Sequence, residues 1–91
     1  MWYALIWNLT TFGSQVSVVA FETEAACWKT MQPRVEWTMA NSSLGGHGAC
    51  VPSVGVAEAA LERSYCTLER ETPAVGSFPA EARFRCAGRG Y

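Results

Sequence analysis

The side chains best suited to chemistry are His47 and Cys50, at the ends of the run His47-Gly48-Ala49-Cys50. That spacing lets two ligands from one loop reach a single Zn²⁺. A tetrahedral site needs two more ligands, and the other thiols, Cys27, Cys66 and Cys86, stand singly in separate segments. Without a second paired knuckle, a loop histidine beside a structural cysteine accounts for the run better than a metal centre. No metal and no cofactor are expected, with His47 and Cys50 as the only candidate ligands.

Four cysteines also permit two disulfides, in any of three connectivities. One of these joins Cys27 to Cys50 and Cys66 to Cys86, stapling each half of the chain to itself and adding stability in an oxidising compartment. Four small buried thiols are the alternative.

Catalysis finds little to work with. One His and no Asp rule out a Ser/His/Asp triad, and only His47 is available to activate a cysteine. Glu58 and Glu62 fall one turn apart on a helical stretch, but opposite its apolar stripe, where a solvated face explains them better than an acid/base couple. No glycine pattern forms a phosphate loop. The expectation is a non-enzymatic protein.

Arg83-Phe84-Arg85, with Arg89 and Tyr91 beyond, interleaves cations and rings as a single-strand nucleic-acid surface would. The formal net charge is only −1, with six Arg and one Lys against eight Glu, so no overall field supports that use. Alternation along a strand, with Arg83 and Arg85 solvated and Phe84 and Cys86 buried, is the simpler account, and nucleic acid is not the expected partner. The aromatic residues say more. A chain of 91 residues has limited interior for four Trp, and any left outside mark an interface, where Trp, Tyr and Arg dominate binding. Trp2, Tyr3, Trp7, Trp28 and Trp37, with Arg83 and Arg85, form the candidate partner-binding set; packing in the core is the alternative for the rings.

The elements that must position these residues follow from periodicity. A chain this short builds one core, hence one domain over residues 1–91. Trp2 to Leu9 is apolar on both alternating faces, Thr10 to Ser14 has turn chemistry, and Gln15 to Phe21 alternates, which together predict a β-hairpin. Thr23 is placed to cap a helix that runs through Met31 and stops before Pro33. Arg34 to Met39 alternates as a strand, Asn41 to Gly48 reads as a loop, and Ala49 to Val51 as a short strand before Pro52. This makes residues 1–53 a ββαβ-like half: hairpin, helix and returning strand. Residues 54–91 form an extension, with a second helix from Val54 to about Ser64 and a strand pair from Tyr65–Leu68 and Ala82–Ala87. Tyr65 to Glu71 also fits a continued helix, and Gly88 to Tyr91 reads as a loose tail. The fold class is α+β.

The first strand raises the functional question, because two apolar faces need cover on both sides. If the extension covers the second face the domain is self-sufficient; otherwise that face is where a partner binds. No Lys or Arg precedes the apolar start and Asn8 to Ser17 is too polar to prolong it, so a strand is expected there instead of a signal peptide, and a cytoplasmic setting before a secreted one. No stretch is long enough to span a bilayer, and no membrane partner is expected.

The opening Met1-Trp2-Tyr3-Ala4-Leu5-Ile6-Trp7, the run Phe21-Glu22-Thr23-Glu24-Ala25-Ala26-Cys27 and the later Ala49-Cys50-Val51-Pro52 resemble short uncharacterised bacterial and phage proteins over residues 1–52. Such a resemblance implies an inhibitor of host defence of the anti-CRISPR kind. The expected function is therefore a non-enzymatic protein-binding or inhibitor module acting through an aromatic surface, on a host protein or complex in the host cytoplasm, or on a second copy as a homodimer. A small zinc- or disulfide-stabilised structural module is the alternative, and a single-strand nucleic-acid binder the third reading.

Overall fold

The computed structural model describes residues 1–88. Its elements run β1 (Trp2–Thr10), β2 (Gly13–Phe21), α1 (Glu24–Asn41), β3 (Gly46–Val51), α2 (Val54–Arg63), β4 (Cys66–Thr72) and β5 (Glu81–Cys86). The strands form one antiparallel sheet in the order β3-β1-β2-β5-β4. This is the α+β class expected, with hairpin, helix, returning strand, second helix and terminal strand pair in that sequence.

β1 and β2 pair from Trp2↔Phe21 to Thr10↔Gly13, turning through Thr11 and Phe12. Gly13 has φ +149°, and a Cβ there would collide with the backbone carbonyl of Cys86. Only glycine gives both the backbone conformation and the close approach of β5.

Alternation decides what each face of the sheet carries. Ala4, Ile6 and Val19 point one way and meet Cys27 and Met31 of α1; Leu5, Trp7 and Val16 point the other way and meet Ala57 of α2 and Cys86. The two-faced first strand is thus covered on both sides from within the chain. Each helix begins on a hydroxyl cap: Thr23 Oγ1 accepts from the Ala26 N–H at 3.1 Å, and Ser53 Oγ from the Val56 N–H at 3.2 Å. Such caps satisfy amide donors that the first helical turn leaves unpaired.

The strand expected at Arg34 to Met39 is instead the second half of α1, which continues through Pro33. A proline inside a helix removes one hydrogen bond and costs about 3 kcal/mol in isolation. Here the ring is exposed, so water can reach the carbonyl it leaves unbonded. On the inner side, Met31 and Val35 pack over Gly48 of β3. Packing of that stripe across the proline outweighs the local penalty. Close docking also requires Gly48: a Cβ there would lie 2.6 Å from both Met31 Sδ and Val35 Cγ2.

The segment expected as a loop to Gly48 becomes strand from Gly46, where β1 supplies backbone partners. Tyr65, at φ +54°, ends α2, and the ambiguous stretch after it is strand β4. Disulfides join Cys27 to Cys50 and Cys66 to Cys86, with Cα separations of 6.1 and 4.0 Å. The first ties α1 to the edge strand β3, and the second ties adjacent strands β4 and β5 at a directly opposed pair. Gly88, expected in a loose tail, is held: its N–H donates to Ser64 O at 2.8 Å and its carbonyl accepts from Ser14 Oγ at 2.7 Å. The remainder of that tail, with Arg89 and Tyr91, lies outside the described residues.

Candidate functional site

The strand geometry separates His47 from Cys50. Three positions apart on β3, they face opposite sides of the sheet. His47 stacks on Trp7, ring centroids 5.7 Å apart, while the Cys50 sulfur is bonded to Cys27. The two side chains therefore do not converge on a shared ligand. Among the described residues, no group of three or more His, Cys, Asp or Glu side chains is placed to hold a metal ion.

The candidate aromatic set likewise divides. Trp7 is buried, 3% exposed, so it packs the core instead of presenting a binding surface. Trp2 and Tyr3 are half-buried on opposite faces of β1. Trp28 and Trp37 are exposed, at 41% and 68%, but nine positions at about 100° each put them on opposite flanks of α1. The seven residues do not make one surface.

What the fold does bring together is Trp37 and Arg83. α1 lies over β3, β1 and β2 and stops short of β5 and β4. On the uncovered half of that face, β5 presents Arg83 and Arg85, whereas Phe84 points to the other side, under α2. The strand therefore parts the basic from the aromatic residues that interleave in sequence, and helix α1 restores an aromatic ring to the basic side. Trp37 and Arg83 line a notch of about 380 Å³ between α1 and the sheet, together with Asn8, Gln15, Ser17 and Arg34.

Charges on this half-face are unevenly matched. Arg34 Nη1 donates to Glu81 Oε1 at 2.8 Å, tying α1 to β5, and Arg85 lies 3.5 Å from Glu69. Arg70 of β4 sits directly opposite Arg83 of β5. Among the described residues neither makes an ion pair. Like charges paired across strands are unfavourable, and Glu81, the carboxylate that borders both arginines, is bonded to Arg34 instead. Asn8 also lines the notch, and among the described residues its Oδ1 is buried without a hydrogen-bond partner.

This arrangement can hold an anionic group with two guanidinium groups and pack an apolar group on an indole. Arg83 and Trp37 are legible in the sequence as separate candidates, but Arg70 and Asn8 are not, because only cross-strand register makes them neighbours. Among the described residues, no helix is long and apolar enough to cross a membrane. No protein-family model, curated protein or solved structure matches the chain.

Proposed function

We propose that this chain is a non-enzymatic binding module that engages an acidic segment of a protein partner through Trp37, Arg70 and Arg83. The module itself is a small α+β domain stabilised by two disulfides. The observation that carries the reading is the opposed pair Arg70 and Arg83, neither in an ion pair among the described residues, beside a Trp that is 68% exposed. Arginine and tryptophan together at an exposed site favour recognition of a carboxylate flanked by an apolar side chain. A non-enzymatic role is supported by the engagement of all four thiols in bridges and of His47 in a stack with Trp7. The partner in this reading is a host macromolecule, with an anti-CRISPR-like inhibitor as its most specific form.

The test is affinity capture from host lysate with wild type and with Trp37→Ala/Arg83→Glu, after circular dichroism shows both to be folded. A protein captured by wild type, released by salt and lost by the variant supports the reading. Equal capture by both overturns it. If sedimentation instead shows a wild-type dimer that the double substitution dissociates, the partner is a second copy. Wild-type-only binding of single-stranded oligonucleotides, with steep salt dependence, would replace the protein partner by nucleic acid. The bridges also bear on location, since disulfides persist in oxidising compartments. Alkylating the protein in intact cells before lysis distinguishes these bridges from the reduced thiols of a cytoplasmic setting.

A further inference from the structure

The opposite face of the sheet holds an open cleft of about 630 Å³ beside α2. Its floor is Tyr3, Val18, Ala82 and Phe84, and one wall is Ala57 and Leu61 of α2. The far wall is the end of β4, at Glu71 to Pro73. The room exists because α2 is only 10 residues long and alanines occupy floor and wall positions that larger side chains would fill. In size and apolar character it matches sites that enclose small organic molecules, about 300–1,000 Å³.

Its charge is one-sided. Glu58 on α2 and Glu71 on β4 stand on the two walls, and among the described residues no Lys, Arg or His lines the cleft. Glu81 also borders it, but its carboxylate is engaged by Arg34. Among the described residues, Glu58 and Glu71 make no ion pair. An uncharged apolar ligand would gain nothing from the two exposed carboxylates, and an anionic one would be repelled. A ligand with an apolar body and a cationic head satisfies floor and rim together, with the rings of Tyr3 and Phe84 also able to face the cation.

We infer that this cleft is a binding site for a small amphipathic organic cation, a hydrophobic amine or quaternary ammonium. The site is separate from the Trp37/Arg83 face, on the other side of the sheet, and does not depend on it.

Isothermal titration with decyltrimethylammonium and decyl sulfate, each below its micelle concentration, tests the inference on the intact, oxidised chain. The cation should bind one to one and the anion should not. Glu58→Gln/Glu71→Gln, both exposed positions, should weaken cation binding about tenfold while leaving the apolar floor intact. Ala82→Leu, which fills the floor, should remove binding; should that variant misfold, Ala20→Leu at the same cleft serves in its place. Equal affinity for both probes, no binding of the cation, or binding unchanged by the glutamine and leucine variants would overturn the assignment.

Discussion

The two faces of this sheet are built from the same strands and covered by helices of unequal length, and they differ in what the uncovered part exposes. On one face the 18-residue α1 lies across β3, β1 and β2, leaving a polar half at β5 and β4 with Arg70, Arg83 and Arg85. On the other, the 10-residue α2 buries Leu5 and Trp7 but leaves an apolar cleft over Val18, Ala82 and Phe84. The alternation of β5 makes the contrast: Arg83 and Arg85 go to one side, Ala82 and Phe84 to the other. An arginine-bearing surface and an apolar cleft walled by Glu58 and Glu71 thus sit back to back across one strand, which a net charge of −1 conceals.

The contrast breaks most severely at the two tryptophans that represent it. Trp7→Ala removes a ring that is 3% exposed and should cost about 3–5 kcal/mol in urea unfolding. Trp37→Ala, on the open side, should change stability by no more than about 0.5 kcal/mol. Acrylamide should quench Trp37 and spare Trp7, and a wild type in which all four indoles resist quenching would refute the exposed face.

The bridges come next. They span sequence separations of 23 and 20 residues, so loop entropy assigns each about 3 kcal/mol. Cys66→Ser/Cys86→Ser and Cys27→Ser/Cys50→Ser should therefore lower Tm comparably. A much larger loss for the second pair would mean that the α1–β3 contact depends on its bridge and not on packing.

Docking of α1 can be probed separately. Gly48→Val places methyl groups against Met31 and Val35 and should destabilise by about 1–3 kcal/mol through overpacking. Protection of α1 amides from hydrogen exchange should fall more than that of α2.

The smallest effect has an unusual sign. Arg70→Thr removes one of two opposed cations and should raise stability by a few tenths of a kcal/mol, while weakening an acidic partner. The gain should shrink as salt screens the wild-type repulsion. A loss of stability at low salt would show that the pair is not in tension.

Much of the framework is legible in the amino-acid sequence. The hairpin, the Thr23 cap, α2 and the division of β5 into solvated Arg83 and Arg85 against packed Phe84 and Cys86 all follow from period-two or 3.6-residue patterns within single segments. The departures share a cause. Val35, Trp37 and Met39 alternate like a strand, and Pro33 is a local stop signal, yet Met31 and Val35 pack over Gly48 in a helix that passes through the proline. Local rules cannot weigh a packing partner that lies elsewhere in the chain.

The same division holds for the functional surfaces. The amino-acid sequence by itself determined which residues alternate, where helices are capped and which strand demands cover on both faces, because these depend on side chains a few positions apart. Tertiary structure alone decided that His47 and Cys50 point apart, which thiols pair, that Arg70 faces Arg83 beside Trp37, and that α2 stops short of filling the space above Phe84. Each depends on register or on helix placement, which bring together residues remote in sequence and leave no trace in local periodicity.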